Sequence, residues 1–362
     1  MVGRAKYGDA GGESTVITGP ASFFPQGARV ATLPRRGGAR MGTAAGTALE
    51  RLADGALYPA SRFTAKARRA AYRVMLALEA VAIETGTATV EVQEVIERAA
   101  SCVEGYKRFV VLMGTPGAGS KATLTLLSDN GSPLAFMKVA WTSTARALVC
   151  HEASLLPVAG EAIAPRLLGA SESESLSCIV VSPLAGKPVG LSASVPRELV
   201  DRTASNAFSL PVTEHPFVQA LLAAESEKSA RAIASLAGRD FPVLPTHGDA
   251  APWNAIQDAD GVIRMFDWEY GRREGLPLTD VAHWSLQVGH LSQRMSARGA
   301  LDRSIGEVSR ATGLSIAEAA SICTLTALDV AIRLESEHDT QQAGWWRECV
   351  DRGVACAEGG EL

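Results

Sequence analysis

Three oxygen-bearing side chains carry the chemistry this chain can do. Asp249 and Asn254 lie in His247-Gly248-Asp249-Ala250-Ala251-Pro252-Trp253-Asn254, and Asp267 opens Asp267-Trp268-Glu269. Between Asn254 and Asp267 the chain reads Ala255-Ile256-Gln257, then Asp258-Ala259-Asp260-Gly261, then Val262-Ile263-Arg264-Met265-Phe266. Two short apolar runs around an Asp-Gly turn predict a β-hairpin. A hairpin brings its ends together, so Asn254 and Asp267 are expected about 5 Å apart, the separation of paired strands. An amide oxygen and a carboxylate at that spacing suit Mg2+, which takes one or two protein oxygens when substrate phosphates supply others. Asp249, on the loop entering the hairpin, is placed to accept the proton of an attacking hydroxyl. One Asp for the nucleophile, with an Asn and a later Asp for the metal, is the division of labour of phosphoryl transfer. His247 is expected to brace this catalytic loop.

Such a site needs elements upstream that hold a nucleotide: a strand lysine, a helical acid and a phosphate-covering turn. Arg108 to Met113 reads as a strand, Gly114-Thr115-Pro116-Gly117-Ala118-Gly119-Ser120 as a Gly-rich turn, and Ala122 to Leu127 as the return strand. Backbone amides at Gly114, Gly117 and Gly119 are candidates for phosphate contact. Asn130-Gly131 marks a second hairpin turn. The next strand, Leu134 to Ala140, holds Lys138 in an otherwise apolar run, where an ammonium needs anionic company. Thr144 to Leu156 reads as a helix carrying Glu152, the expected partner of Lys138. The segment from Gly114 to Lys121 comes near a Walker A loop but fails it, because Ser120 follows Gly119, Ala122 follows Lys121, and a strand rather than a helix comes next.

His-Gly-Asp, four residues, Asn, a short hairpin and Asp-Trp-Glu together resemble the signature of the aminoglycoside phosphotransferase and choline kinase superfamily. The resemblance covers about residues 105 to 340. It implies an α+β, two-lobed protein-kinase-like fold, with a small antiparallel-sheet N-lobe and a larger helical C-lobe. It further implies Asp249 as catalytic base, Asn254 and Asp267 as metal ligands, and Asp280 as the residue supporting the loop. ATP and Mg2+ would be the cofactors, with adenine against backbone groups from Ser182 to Leu184, and a small molecule bearing a hydroxyl would be the acceptor. Leu49 to Met75, with Leu57-Tyr58-Pro59 before a basic helix, also resembles the N-terminal region of phosphotransferase-like proteins of bacterial surface-polysaccharide synthesis. A catalytically silent nucleotide-binding regulator of the same fold is the alternative function.

Composition bounds these readings. At 362 residues, with 47% hydrophobic and 20% charged, the chain can bury a full core. A formal net charge of −4 supplies no basic field for nucleic acid or a membrane surface. No apolar run approaches the roughly 20 residues of a membrane span, and the first residues lack the apolar core of a secretory signal, which predicts a cytoplasmic protein. Six cysteines without Cys-x-x-Cys pairing predict reduced thiols. Residues 1–45, rich in Gly, Ala, Arg and Ser, read as a loosely ordered arm. Residues 46–104 read as a helical extension, with helices over Thr64 to Gly86 and about 89 to 100, followed by the N-lobe at 105–184 and the C-lobe at 185–362. In the last helices Trp284, Trp345 and Trp346 could stack on a sugar or cation, and Glu335, Glu337 and Asp339 could hold a polycation.

Overall fold

Short strands beginning before residue 45 build the first half of the molecule. The computed structural model describes residues 17–34, 38–44, 46–57, 63–117, 119–204 and 208–359, with the backbone alone at 63–66. The chain sorts into two compact units: Met1–Ala60, Lys66–Arg146 and Gly169–Val180 in the first, Ser61–Ala65, Ala147–Leu168 and Val181–Leu362 in the second.

The first unit runs β1 (Arg29–Leu33), β2 (Met41–Ala44), α1 (Ala48–Asp54), α2 (Phe63–Ala77), β3 (Ala82–Thr85), α3 (Val90–Ala100), β4 (Arg108–Met113), β5 (Lys121–Leu127) and β6 (Pro133–Ala140). After α4 (Ser143–Ala159) come β7 (Leu167–Glu172) and β8 (Ser177–Val181). One eight-stranded sheet results, in the order β3-β1-β2-β4-β5-β6-β8-β7. From β3 through β6 the neighbouring strands are antiparallel. The meander expected at 108–140 forms, turning at the Gly-rich segment and at Gly131, whose φ is +77°. Because Gly114–Ser120 joins two paired strands and no helix follows it, a P-loop is excluded there.

Residues 29–33 and 41–44 correct the expected loosely ordered arm, because they are the strands that extend this sheet. Composition concealed them: Met41-Gly42-Thr43-Ala44 has no apolar alternation, and its close packing depends on Gly42, where a Cβ would lie 2.5 Å from Pro20 Cβ. The expected first helix is also shorter. It stops in a Schellman motif, with Ala80 N–H bonding Met75 O (2.9 Å), Glu79 N–H bonding Leu76 O (3.2 Å) and Glu79 at φ +55°. The left-handed residue is Glu rather than Gly, so the stop carried no sequence signal, and the chain then returns as β3. Residues 1–16, Tyr58 and Pro59 lie outside the described residues.

Two buried charges tie this N-terminal segment to the sheet. Asp54 on α1 takes Arg108 Nη1 on β4 at 2.5 and 2.7 Å and also the Thr43 hydroxyl on β2. Arg51 donates to Leu76 O (2.8 Å) and Ala77 O (3.3 Å) in the last turn of α2, and to Gly46 O before α1, so one guanidinium ties the two segments together. Beneath them Ala31, Leu33, Met41, Leu76, Val81, Val110 and Leu127 pack as one apolar cluster.

The second unit continues with β9 (Lys187–Pro188), α5 (Arg197–Thr203), β10 (Ser209–Pro211), α6 (Pro216–Ala224), α7 (Ser226–Ile233), β11 (Asp240–Pro242), β12 (Leu244–Thr246), β13 (Ala255–Gln257), β14 (Ile263–Met265) and β15 (Arg272–Gly275). Its helices α8 (Leu278–Gln287), α9 (Ala297–Thr312), α10 (Ile316–Ser336) and α11 (Thr340–Ala357) follow. Every residue of α8 is buried, as is almost all of α10 from Ala319 to Ala331, so these two helices form the core around which the unit is built. Among the described residues no single helix is long and apolar enough to cross a membrane. All six cysteines are free thiols.

Asp54 is buried and Arg108 half-buried, so removing the carboxylate strands a largely desolvated guanidinium. Asp54→Ala should lower the unfolding free energy by about 3 kcal/mol, measured by urea denaturation. A change within about 0.5 kcal/mol would show that the N-terminal segment is not part of this fold.

Candidate active site

β12 delivers the chain to His247, and one carboxylate then fixes its course. Asp280, 2% exposed in the first turn of α8, accepts His247 N–H through Oδ2 (2.8 Å) and Gly248 N–H through Oδ1 (3.0 Å). Charge-assisted bonds of this kind are about twice as strong as neutral ones. Gly248 turns the chain at φ +72°, where a Cβ would lie 2.1 Å from Tyr270 O, so no other residue fits.

His247 is fully buried. Its Nδ1 accepts Asp249 N–H at 3.2 Å, which leaves the ring proton on Nε2 to be donated to Phe266 O at 2.9 Å. The ring packs on buried Trp268, 4.9 Å between centroids. A neutral imidazole thus bolts the loop to the strand that leads to Asp267.

Asp249 and Asn254 meet directly. Asn254 Nδ2 donates to Asp249 Oδ2 (2.9 Å) and to its backbone O (3.0 Å), so the amide Oδ1 is the atom left for a cation. The hairpin pairs Ala255 with Met265 and Gln257 with Ile263. Its turn is drawn tight by Asp258 Oδ1, which accepts Asp260 and Val262 N–H at 3.0 and 2.9 Å. Phe266 N–H then donates to Asn254 O at 2.9 Å, which extends the pairing by one step, and Asp267 is the next residue along the chain. Asp267 adopts the left-handed conformation (φ 69°, ψ 56°), tolerated better by Asp than by most residues. Beyond it, Trp268 N–H bonds Glu152 Oε1 at 3.2 Å.

Among the described residues no three His, Cys, Asp or Glu side chains gather into a metal-binding group. The amide and carboxylate of Asn254 and Asp267 are an oxygen-only pair, the protein share that Mg2+ takes when phosphates complete its shell, so these residues fit that ion.

Two neighbours of Asp249 were not foreseen. Arg333, on α10, donates to Gly248 O (3.1 Å), lies 3.9 Å from Asp249 Oδ1 and sits 4.0 Å over the Tyr270 ring. His283, one turn along α8 from Asp280, has Nε2 3.6 Å from Asp249 Oδ1. Burial holds its imidazole below the ordinary histidine range, against the pull of Asp249. The three-residue step from Asp280 to His283 was a usable signal for a shared helix face. Arg333 had none, being 84 residues from Asp249.

The expected nucleotide residues divide between the units. Lys138 lies in the first, 7% exposed on β6 and opposite Thr123 of β5, as do Gly114, Gly117 and Gly119. Within that turn Ser120 Oγ accepts Gly117 N–H at 2.7 Å and donates to Thr115 O at 3.2 Å. Glu152, Ser182 and Leu184 lie in the second. Glu152 is 1% exposed. Ser182 exchanges two hydrogen bonds with Arg166, N–H to O at 2.9 Å and Oγ from N–H at 3.0 Å, which leaves its carbonyl rather than its N–H for a ligand. Leu184 is half-buried.

Of the aromatic and acidic groups considered for an acceptor, several have structural work. Trp284 is buried and donates to Ala193 O at 3.0 Å, and buried Trp346 stacks on His283. Glu335 pairs with Arg347 at 2.7 and 2.8 Å, and Asp339 caps α11. Trp345 lies against His290, 4.0 Å between centroids.

No protein-family model matches the chain, and no curated protein matches it in sequence. Solved structures do. An aminoglycoside phosphotransferase, APH(4)-Ia, in ternary complex with ADP and hygromycin B is 16% identical, with a TM-score of 0.45 over 75% of this chain and 100% of that one. The aminoglycoside phosphotransferase APH(3'')-Id from Streptomyces rimosus is 16% identical, with a TM-score of 0.38 over 65% and 96%. An ethanolamine kinase from Plasmodium vivax is 10% identical, with a TM-score of 0.41 over 67% and 82%.

Removing the Asp280 carboxylate strands two backbone N–H groups, each worth about 1–3 kcal/mol when left unpaired. Asp280→Ala should therefore cost about 3 kcal/mol in urea denaturation, and Asp280→Asn, which keeps one acceptor, clearly less. Equal stability of both variants and the parent would contradict the clamp.

Proposed function

We propose that this chain belongs to the aminoglycoside phosphotransferase and choline kinase superfamily and transfers the γ-phosphoryl group of ATP to a hydroxyl of a small molecule, with Mg2+ required. The observation that carries this reading is the Asp249–Asn254 hydrogen bond of 2.9 Å, made on a loop held by Asp280 and followed by a hairpin whose Ala255–Met265 pair lies two residues before Asp267.

In this reading Asp249 orients the acceptor hydroxyl and takes its proton, while Asn254 tethers the Asp249 carboxylate through Nδ2. Asn254 Oδ1 and the Asp267 carboxylate hold the cation. Mg2+, when bound, neutralises charge on the phosphates. Lys138 supplies a second positive charge to the nucleotide, with Glu152 as its acidic partner. Of the turn's amides Gly119 is the one for a phosphate oxygen, because the Gly114 and Gly117 N–H groups are donated to Lys121 O (2.8 Å) and Ser120 Oγ (2.7 Å). Adenine meets the segment from Ser182 to Leu184. Arg333, fixed by Gly248 O and Tyr270, keeps a positive charge close to Asp249. Catalysis of this kind is placement and electrostatics, and the rigidity of the loop is what serves it. A sugar, an aminoglycoside, an amino alcohol or a glycan intermediate are the acceptor classes, and the cytoplasm is the expected location.

The test is ADP release with Mg2+, ATP and a panel of those acceptors, with product mass determined. Asp249→Ala should lower kcat by about 10³-fold, in the range for a lost general base. Asp267→Ala should abolish Mg2+-dependent turnover. Lys138→Ala should raise the KM for ATP, and Lys121→Ala should leave it unchanged. Full turnover by Asp249→Ala, or dependence on Lys121 in place of Lys138, would overturn the reading.

A further inference from the structure

A base that has accepted a proton must release it before the next turnover, and the side chain behind Asp249 is built to receive one. His283 is 2% exposed. Its Nδ1 lies 2.9 Å from the Ala250 carbonyl, an oxygen that only accepts, so Nδ1 carries the ring hydrogen. In the neutral ring Nε2 is then a bare lone pair. That atom is buried, has no hydrogen-bond partner, and faces Asp249 Oδ1 at 3.6 Å. The ring plane is fixed by flat stacking on Trp346, 5.7 Å between centroids and 15° between planes.

Packing alone does not explain this arrangement. A buried nitrogen left without a partner costs free energy, and a lone pair beside an ionised carboxylate gains nothing. The same lone pair beside a protonated Asp249 completes an O–H···N bond after an approach of about 1 Å. The charged groups around the ring are Asp249 from the loop, Arg333 from α10 and Asp280 from its own helix, while α11 contributes the uncharged Trp346. Burial keeps the ring neutral at rest, ready to accept.

We propose that His283 is the second proton station of the site, receiving at Nε2 the proton that Asp249 takes from the acceptor. This rests on the reading of Asp249 as base. As the acceptor oxygen bonds to the γ-phosphorus, the bond from that phosphorus to the bridging oxygen breaks and ADP leaves with its electron pair. The acceptor proton passes to an Asp249 carboxylate oxygen and on to the Nε2 lone pair. Asp249 is again a carboxylate and His283 an imidazolium whose new N–H faces Oδ1. Once the product departs and water reaches Asp249, the proton returns by the same path to solvent.

The relay is tested on the full chain with water as the acceptor, as basal Mg2+-dependent ATP hydrolysis. His283→Phe, which keeps the stacking, should lose at least about tenfold in kcat with KM for ATP within twofold of the parent. In His283→Gln the acid limb of the kcat profile should move to lower pH, because the group whose protonation blocks the relay is gone. Imidazole should restore His283→Ala, and pyrazole, of equal size but far weaker basicity, should not. Parent turnover by His283→Phe, or equal rescue by pyrazole, would reduce His283 to packing. Parent turnover by Asp249→Ala would instead remove the base, a distinguishable failure. Nitrogen-15 NMR of the imidazole requires no turnover: a neutral ring with its hydrogen on Nδ1 is expected at pH 7, and a hydrogen on Nε2 would overturn the relay.

Discussion

The geometry of the loop from His247 to Asn254 depends on one carboxylate receiving two consecutive backbone N–H groups. Asp280 holds His247 and Gly248 from the buried start of α8, and everything downstream inherits that placement. Gly248 can then turn beneath Tyr270, His247 can span from Asp249 N–H to Phe266 O, and Asn254 can reach back to the Asp249 carboxylate. No part of this chain of contacts is long or flexible. A core helix thus sets the position of a loop to within hydrogen-bonding tolerance.

The same helix reaches the site twice. Asp280 and His283 are three residues apart and so share a face of α8, the first anchoring the loop and the second facing the carboxylate the loop presents. Arg333 approaches from α10, the other buried helix of the unit. Asp249 is consequently surrounded by groups from the most deeply packed elements, while the Asp itself remains partly exposed. That combination fixes the orientation of the carboxylate and leaves it accessible.

How much of this could be read from the sequence differs by residue. The hairpin was legible because Asp258-Ala259-Asp260-Gly261 has an unambiguous turn chemistry. The meander of β4, β5 and β6 followed from apolar runs broken by Gly and Asn-Gly. The strands at 29–33 and 41–44 were not legible, since they are four or five residues long, rich in small or polar side chains, and stabilised by the pairing of 41–44 with β4, of 29–33 with β2 and β3, and by the distant Asp54–Arg108 contact. The end of α2 was hidden by a Glu in the position where Gly normally signals a stop. His283 was available to a reader who followed the face of α8. Arg333 was not, because its contact with the loop is created only by the packing of the second unit.

The most direct test of the central claim is a crystal structure of the chain with Mg2+ and a non-hydrolysable ATP analogue. The account predicts Asn254 Oδ1 and the Asp267 carboxylate among the ligands of the ion, Lys138 against the phosphates, and Asp249 facing the γ-phosphoryl group without binding the metal. An ion held elsewhere, or phosphates gathered around Lys121, would contradict it.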